Sequence, residues 1–446
     1  PVIVDRRVVA EEGEPVFFLP PTGLAPGETE TVELVVGTNA GPVSIIIEQT
    51  ADSAPTSITV RQVDVADADV QTRGFTLLGQ AFEVDVESGA EAGENSGGTV
   101  CFPYDPDAAA AAGLADSDLV LFHFRDDGTR EALATTVDST NHRVCAHVDS
   151  FSPFAIGELD TDRLAGDNAA RTAAAISKAT FEPGLPVVHI VALGPDGLGA
   201  GAAAAHAGGP VLLVDRNKVS YATRAEIERL QPARVVVVGG SDVISDAVVA
   251  QLGATRVAGD DRYGTAAALS AATFDTADVV YVASGRRAAD AMVASVAAAA
   301  AGAPLLLVEQ NTIPDATSAE IARLDPARVV VVGGTAAVSD VVVSALGAER
   351  LAGVDRYATS VAVAKALGSS DLFVARGDNP MDAVSGTPAV AAAGAAMLLV
   401  QPDAIPTVVR DALAAATPST ITVLGGTDAV SMPVEVDLAA FLPTED

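Results

Sequence analysis

Three stretches of this chain repeat almost the same residues and decide its fold: RLAGDNAARTAAA at residues 163–175, RVAGDDRYGTAAA at 256–268 and RLAGVDRYATSVA at 350–362. An interval of about 93 residues also separates three strand-and-turn phrases, which are VVVVGG at 235–240, VVVVGG at 329–334 and ITVLGG at 421–426. A repeat of this length marks one structural unit copied in tandem. The sequence therefore predicts three copies of a single fold.

Between these landmarks, apolar runs alternate with Ala-rich stretches of helical length. The run PLLLV at 304–308 is typical of a buried parallel strand, and TSAEIARL at 317–324 has the pattern of a helix before a Gly-Gly strand. Each copy is therefore predicted to be a small doubly wound βαβ unit of the α/β class. We place the three copies at residues 161–255, 256–349 and 350–446.

The first part of the chain, residues 1–160, has a different pattern. Short β-rich runs such as TVELVVG at 31–37 alternate with turns rich in Gly, Pro and Asp, which predicts an antiparallel, all-β sandwich domain. Its last segment, RVCAHVDSFSPFAIGEL at 143–159, resembles the final strands of small sandwich modules in secreted bacterial proteins. That likeness is local and indicates a secreted protein without indicating its function.

The two cysteines of the chain lie in strand-like segments of this first domain. In an oxidising compartment Cys101 and Cys145 are expected to form a disulfide. The alternative is a zinc site built from His142, Cys145 and His147, but no fourth ligand is evident. We therefore predict the disulfide and no metal site.

Composition excludes several classes of partner. A net charge of -33 over 446 residues repels nucleic acid. The uncharged stretches 291–308 and 383–400 approach the length of a membrane span, but they are mostly Ala and fit a helix followed by a strand. No charged and apolar leader opens the chain at Pro1, so any signal peptide has been removed or was never included, and the first residue does not decide localisation.

The openings of copies two and three carry the main candidates for ligand contact. Arg and Tyr supply a planar donor fork and a stacking face, which suit the hydroxyls, carboxylates or phosphates of a polymer. The alternative is that Asp and Thr cap the next helix while Arg pairs internally. The candidates are Arg256, Asp261, Arg262, Tyr263 and Thr265 in copy two and Arg350, Asp355, Arg356, Tyr357 and Thr359 in copy three. Copy one departs from this pattern, with Asn168, Ala169 and Ala170 in place of Asp, Arg and Tyr.

Asp290 and Asp382 are further candidates, because each follows a predicted strand, as Asp196 does in copy one. An Asp at this place is expected first as a helix N-cap, and second as a contact for a polar ligand or cation. The Gly-Gly turns are expected to allow a positive φ and close packing, since they lack both GxGxxG and a P-loop lysine. No catalytic motif appears, so we expect no enzyme activity and no cofactor.

Taken together, the phrases RxAGxDRYxT, ASG…ADAM, GAPLLLV and RVVVVGGTAAVSD resemble the cell wall binding repeat type 2 family of Gram-positive bacteria over residues 161–443. The resemblance implies three Rossmann-like or flavodoxin-like units about a pseudo-threefold axis, which anchor surface and S-layer proteins noncovalently to anionic wall polymers. Copy three departs by lacking the proline of GAPLLLV, and Pro433 is expected to end its last helix early. The terminal copies are therefore expected to act partly as caps.

The resulting hypothesis is a noncatalytic extracellular protein, held at the cell wall by a glycopolymer that its repeats bind. Local Arg clusters or bridging divalent cations would reconcile an acidic protein with an anionic polymer. A second hypothesis is a lattice or filament subunit, in which a strand such as Val2–Val4 or Pro15–Phe18 pairs with another copy of the chain. A third is an enzyme acting on nucleotides or wall sugars, suggested only by the expected fold.

Overall fold

The computed structural model describes residues 6–18, 29–50, 56–65, 74–88, 98–116, 119–125, 130–151, 153–192 and 194–443. The chain divides after Asp160 into two compact units, which are named here the β-domain (residues 1–160) and the repeat module (residues 161–443). The first is rich in strands and the second alternates strands with helices, so the mixed α/β class is confirmed. The segment Val2–Val4 lies outside the described residues.

The β-domain contains two six-stranded sheets. The described elements are β1 (Arg6–Glu11), β2 (Val16–Phe18), β3 (Thr29–Thr38), β4 (Gly41–Thr50), β5 (Thr56–Asp64), β6 (Phe75–Ser88), β7 (Gly98–Pro103), α1 (Pro106–Ala111), β8 (Val120–Phe124), β9 (Arg130–Ala132), β10 (Thr135–Asp138), β11 (Arg143–Val148) and β12 (Phe154–Leu159). The strand orders are β1-β3-β4-β7-β11-β10 and β2-β5-β6-β12-β8-β9. The prediction of purely antiparallel, all-β structure is wrong in two details, because β1 pairs with β3 in parallel and α1 is a helix.

One hydrophobic core joins the two sheets of the β-domain. Phe82 on β6 stacks on Phe102 on β7, with ring centroids 4.6 Å apart, and Phe102 also contacts Phe154 on β12 at 5.3 Å. These rings are fully buried, and burial of large apolar side chains is the main stabilising term for such a pair of sheets.

The predicted disulfide between Cys101 and Cys145 is confirmed. The two residues are register partners on the neighbouring strands β7 and β11. Because Cys145 is bonded to sulfur, it offers no thiolate to the alternative zinc set, and His147 is instead exposed beside Asp149. The bond links segments 44 residues apart, which restricts the unfolded chain and stabilises this domain.

The repeat module contains three four-stranded parallel sheets. Its elements are β13 (Asp162–Leu164), α2 (Ala169–Thr180), β14 (Val188–Ala192), α3 (Ala200–His206), β15 (Val211–Val214), α4 (Tyr221–Leu230), β16 (Val235–Val238), α5 (Asp246–Leu252), β17 (Thr255–Val257), α6 (Arg262–Thr273), β18 (Val279–Ser284), α7 (Ala288–Ala300), β19 (Leu305–Val308), α8 (Asp315–Leu324), β20 (Arg328–Val332), α9 (Asp340–Leu346), β21 (Glu349–Leu351), α10 (Arg356–Leu367), β22 (Asp371–Arg376), α11 (Met381–Ala392), β23 (Ala396–Val400), α12 (Thr407–Ala416), β24 (Thr420–Leu424) and α13 (Met432–Ala439). The strand orders are β15-β14-β16-β17, β19-β18-β20-β21 and β13-β24-β22-β23.

Each sheet crosses the boundary between two sequence copies. The opening of copy two forms β17, which pairs with the Gly-Gly strand β16 of copy one, and β21 pairs with β20 in the same way. At the ends of the module, β13 of copy one pairs with β24 of copy three. The interpretation of the terminal copies as caps is therefore wrong, because the first strand of the module completes the last sheet.

A buried ion pair stabilises the pairing of β13 with β24, which is called the closure below. Arg163 donates from Nε to Glu435 at 2.8 Å, and from its two terminal nitrogens to the carbonyls of Gly425 at 2.6 Å and Val430 at 2.9 Å. Glu435 is only 3% exposed and lies in the first turn of α13. Pro433 stands beside it in that turn, where the missing N–H has no helical partner to lose, so the prediction that Pro433 ends the helix early is wrong.

Three Ala-rich helices, α3, α7 and α11, contact one another pairwise. Their equivalent residues Gly201, Ser295 and Thr387 meet, and a Cβ added to Gly201 would lie 2.7 Å from both neighbours. The stretches 291–308 and 383–400 are confirmed as a helix followed by a strand. Within the described ranges no helix has the length and apolarity needed to cross a membrane.

The closure generates a stability prediction. Arg163→Ala leaves the Glu435 carboxylate buried without its cation, so we expect the free energy of unfolding of the repeat module to fall by about 3–5 kcal/mol. Denaturant titration followed by the helical circular dichroism signal measures it. The control is Arg410→Ala, which breaks the exposed pair with Asp437 and is expected to cost about 0–1 kcal/mol. Equal losses in the two variants would contradict the closing role of Arg163.

Candidate functional site

The candidate residues gather at the carboxyl ends of the strands, between one copy and the next. There the Asp that follows a strand of one copy faces the opening of the following copy, which makes three inter-copy clefts. The first cleft contains Asp196 and Arg262, the second contains Asp290 and Arg356, and the third contains Asp382 and Asn168. The third lies at the closure, so its opening comes from copy one.

The Asp and Thr of each opening shape the loop before a helix. Asp261 Oδ1 accepts a hydrogen bond from the N–H of Gly264 at 2.8 Å, as the N-cap of α6, and Asp355 does the same for α10. Thr265 Oγ1 accepts from the N–H of Gly259 at 3.1 Å, and Thr359 repeats this bond with Gly353. The predicted capping by Asp is thus present, and the two Thr side chains are buried behind it.

Arg256 and Arg350 contact the chain itself. Arg256 donates to the carbonyls of Gly239 at 2.6 Å and Ile244 at 2.8 Å, and to Asp246 at 2.9 Å. Arg350 makes the equivalent bonds in the next copy. Both guanidinium groups therefore hold the Gly-Gly turn closed, as Arg163 does at the third cleft.

Arg262 and Arg356 each use one bond internally. They donate to the carbonyls of Gly285 at 2.7 Å and Gly377 at 2.8 Å, in the loops after β18 and β22. Arg262 is half-buried, whereas Arg356 is exposed and keeps further donors facing the second cleft. Among the four arginines of the predicted pattern, Arg356 is the exposed one.

The two tyrosines pack against the same glycines. A Cβ on Gly285 would lie 2.5 Å from Cε1 of Tyr263, and one on Gly377 would lie 2.8 Å from Cε1 of Tyr357. Burial, together with the nearby Glu309 carboxylate, raises the pKa of Tyr263 to about 12. Tyr263 is therefore a packed neutral side chain with little stacking face for a ligand, while Tyr357 is half-buried.

The carboxyl groups of Asp290 and Asp382 are buried, which disfavours their ionised form. Burial raises the pKa of Asp290, although a hydrogen bond from Thr359 and the charges of Arg287 and Arg356 lower it. Burial also raises the pKa of Asp382, against the charge of Arg376. Both residues are 9% exposed. Buried carboxyl groups with perturbed pKa values are more frequent at functional sites than elsewhere.

The sequence predicted that Asp290 and Asp382 are helix N-caps, and this prediction is wrong. The N-caps are Arg287 for α7 and Pro380 for α11, so both Asp residues lie within the first helical turn. Those helices begin earlier than the sequence pattern indicated. In copy one, Asp196 lies in a 3-10 turn at Pro195–Gly197.

These Asp residues explain the Gly-Gly turns. Gly333 has φ +117°, and a Cβ there would lie 2.8 Å from Oδ2 of Asp290. Gly425 has φ +100°, and its Cβ would lie 2.6 Å from Oδ2 of Asp382. Glycine is thus required both for the backbone conformation and for the close approach of the carboxyl group, as the sequence predicted for a packed turn.

The second cleft has a volume of about 480 Å³ and the third about 540 Å³. Charged residues of opposite sign balance in the second cleft: Arg286, Arg287 and Arg356 against Asp290, Asp355 and Asp378. Acidic residues outnumber basic ones in the third: Asp167, Asp382 and Asp428 against Arg163 and Arg376. Sequence reasoning missed Arg286, Arg287 and Asp378, although the phrases SGRR and RGD mark them directly after strands.

The described part of the chain contains no group of three or more His, Cys, Asp or Glu side chains placed to hold a metal ion. Besides the cleft carboxyl groups, the lining of the second cleft includes Arg side chains, Thr359 and the glycines Gly334, Gly353 and Gly377. Such a surface can hold hydroxyl and anionic groups through several separate hydrogen bonds.

The family model described as cell wall binding domain 2 matches residues 163–249, 256–343 and 350–435, more than half of the 446 residues. The chain is also 28% identical over 293 residues to the N-acetylmuramoyl-L-alanine amidase LytC of Bacillus subtilis (strain 168), and 26% identical over 290 residues to the Amidase enhancer of that organism. These alignments cover 64% and 63% of this chain, but only 59% and 40% of the two relatives.

Two solved structures share the fold. Cwp6 from Clostridium difficile superposes with a TM-score of 0.61 at 20% sequence identity, covering 90% of this chain and 66% of that chain. Cwp8 from the same organism has a TM-score of 0.55 at 19% identity, covering 80% of this chain and 61% of that one. The likeness at this identity concerns the architecture alone.

The packing of Asp290 on the Gly-Gly turn generates one prediction. Gly333→Ala forces a side chain into a conformation at φ +117° and against the carboxyl group, so we expect the free energy of unfolding to fall by about 1–3 kcal/mol. The control is the neighbouring Gly334→Ala, because a Cβ there would meet nothing closer than 3.6 Å. Its free energy of unfolding should stay within about 0.5 kcal/mol of the parent protein's. Denaturant titration measures both, and similar losses would contradict the specific role of Gly333.

The raised pKa of Asp382 generates a prediction about stability and pH. The folded protein binds this proton more tightly than the unfolded chain does, so the ionised group opposes folding at neutral pH, and this cost fades as the pH falls through the raised pKa. Asp382→Asn is therefore expected to raise the free energy of unfolding at neutral pH, with a gain that shrinks on acidification. Urea titrations over that pH range measure it beside the exposed control Asp242→Asn. If the stability gain of Asp382→Asn instead grew on acidification, the raised pKa of Asp382 would be contradicted.

Proposed function

Because the chain belongs to the cell wall binding domain 2 family, and is on that ground a cell-wall-binding surface protein, we propose that it is a noncatalytic extracellular anchor. Its repeat module holds an anionic secondary polymer of the wall without covalent bonds, at the inter-copy clefts. The β-domain carries the separate, individual role of the protein. The proposal rests on the family and on the chemistry of the clefts.

The observation that carries the proposal is the second cleft. In a chain with a net charge of -33, this cleft is locally balanced, with three Arg residues against three Asp residues, and Arg356 is exposed. Local cations with free donors attract phosphate or carboxylate groups at short range even when the net field is repulsive, because solvent ions screen the more distant charges. Backbone groups of the glycine loops add contacts for sugar hydroxyls.

The candidate residues take different roles in this proposal. Arg262 contacts the polymer at the first cleft, and Arg356 does so at the second with Tyr357 beside it. Asp290 and Asp382 accept hydrogen bonds from the polymer's hydroxyls. Arg256, Arg350, Asp261, Asp355, Thr265, Thr359 and Tyr263 position these groups through the internal bonds described above. The third cleft lacks an Arg-Tyr pair, since copy one carries Ala169 and Ala170 there, and we assign it weaker polymer contact.

We also propose that the module is built from three Rossmann-like or flavodoxin-like units about a pseudo-threefold axis. The equivalent helix contacts α3 with α6, α7 with α10 and α11 with α2 support it, as does the meeting of α3, α7 and α11. The third of these contacts joins copy three to copy one, in agreement with the strand pairing at the closure. Repeat boundaries at residues 161–255, 256–349 and 350–446 remain part of this proposal.

One observation favours a second role, as a subunit of a lattice or filament. The strands β1 and β2 lie at the edges of their sheets, and Val9 and Phe17 on them are 74% and 75% exposed. Edge strands with apolar side chains readily pair with another chain. Concentration-dependent assembly of the purified protein without wall polymer would favour this role over the anchor.

The anchor proposal predicts the result of a sedimentation experiment. The protein of residues 1–446 is expected to pellet saturably with isolated cell walls, and to lose binding when the secondary polymers are stripped from them. The double variant Arg262→Ala/Arg356→Ala is expected to bind at least about tenfold more weakly, because two charge-assisted contacts are removed. Binding should also weaken with added salt, whereas sensitivity to EDTA would indicate bridging divalent cations.

The matched control is Arg234→Ala/Arg328→Ala, which makes the same change of charge at exposed positions at the amino ends of β16 and β20. Equal loss in both double variants would assign the effect to net charge and remove the clefts from the proposal. Protein that binds neither intact nor stripped walls would overturn the anchor. Release of peptides or sugars from walls by the purified protein would contradict the noncatalytic assignment.

A further inference from the structure

Copy three contains an apolar pocket at the amino ends of its strands, on the opposite edge of the sheet from the clefts. It has a volume of about 320 Å³ and lies between the last turns of α10 and α12. Val361, Leu372 and Leu398 give it an apolar wall. Lys365 is the charged residue among the residues that line it.

The same place is filled in copy one by a buried polar cluster. Glu226 on α4 accepts a hydrogen bond from Ser177 on α2 at 2.6 Å and pairs with Arg229 at 2.7 Å. Arg229 in turn donates to the carbonyl of Phe181 at 2.8 Å, which ties the end of α2 to α4. Copy two repeats the arrangement with Glu320, Arg323 and Phe274.

In copy three every member of this cluster is replaced by a small residue. Ala364, Ala412 and Ala415 stand at the positions of Ser177, Glu226 and Arg229, and Gly368 stands where Phe181 does. The three alanines and Gly368 all line the pocket. The cavity thus arises from loss of a complete charged cluster, while the helices on either side stay in place.

We propose that this pocket binds a small amphipathic carboxylate, with its apolar part between α10 and α12 and its carboxylate beside Lys365. Lys365 is one of only three lysines in a chain with 59 acidic residues, so a lysine at an apolar pocket is a specific feature of this copy. A cationic group at the mouth of an apolar cavity favours a ligand with one charged end and an apolar body.

The volume sets the size of the ligand. An apolar cavity of about 150 Å³ in a protein core accommodates benzene, so a pocket of twice that volume suits a chain of about eight carbons or a two-ring aromatic acid. A ligand of this kind would lie far from the inter-copy clefts, because the pocket opens at the other edge of the sheet. Its binding is therefore independent of polymer binding.

Calorimetric titration of the protein of residues 1–446 with octanoate tests the proposal. One saturable site per chain is expected, and the neutral analogue 1-octanol should bind there about two- to fivefold more weakly than octanoate. Lys365→Gln should weaken octanoate binding about two- to fivefold, the range for a charge pair near solvent, and leave 1-octanol unaffected. Absence of saturable octanoate binding, or equal affinity for 1-octanol with no effect of Lys365→Gln, would overturn the proposal.

Filling the pocket gives the decisive variant. Ala364→Ser/Ala412→Glu/Ala415→Arg restores the cluster of copy one, so it should abolish octanoate binding while the protein stays folded by circular dichroism. The control Ala319→Glu/Ala322→Arg places the same Glu and Arg at the same spacing on the exposed face of α8, and should bind octanoate normally. Retained binding in the filled variant would place octanoate elsewhere and refute the site. Wall sedimentation of both variants should match the parent protein, which separates this site from the anchor.

Discussion

The close approach of α3, α7 and α11 is the constraint on which the repeat module depends. Three equivalent positions meet there, and the space admits Gly201, Ser295 and Thr387 but no added Cβ on the glycine. Helices can approach this closely only when their facing side chains are small, which accounts for the frequent Ala residues in these three helices. Since helices of each copy are packed in this way, their sheets end beside the openings of the next copy, and the clefts follow from the packing.

Much of this architecture could be predicted from the sequence because the signals repeat. The alternation of strands and helices, the split near Asp160 and the disulfide all have strong local patterns. The pairing of β13 with β24 could not be predicted, because three residues of a short edge strand carry no information about a partner 260 residues away. Helix starts were also misjudged, as for Asp290 and Asp382, because a loop residue and a first-turn residue share the same preference for Asp.

The candidate site could also be predicted only in part from the sequence. Arg256 and Arg262 are indistinguishable as isolated sequence letters, yet one holds a Gly-Gly turn and the other lies at a cleft. The difference depends on which carbonyl groups the fold brings near, and this requires coordinates. Arg286 and Arg287 went unnoticed because they are not repeated in the other copies, so a search guided by repetition does not single them out. Residues that differ among copies also created the pocket in copy three.

The closure of the module by β13 and β24 has a consequence for how the chain can vary. In an open array of repeats, a unit can be gained or lost at an end with little effect on the others. Here each copy lends a strand to its neighbour around a circuit, so the number three is fixed by geometry. The order of copies along the gene is less restricted: a chain opened at a different junction, with residues 443 and 161 joined by a linker, would keep every contact between copies. Circular permutation is thus an available route of change for this module, while duplication of a single copy is not.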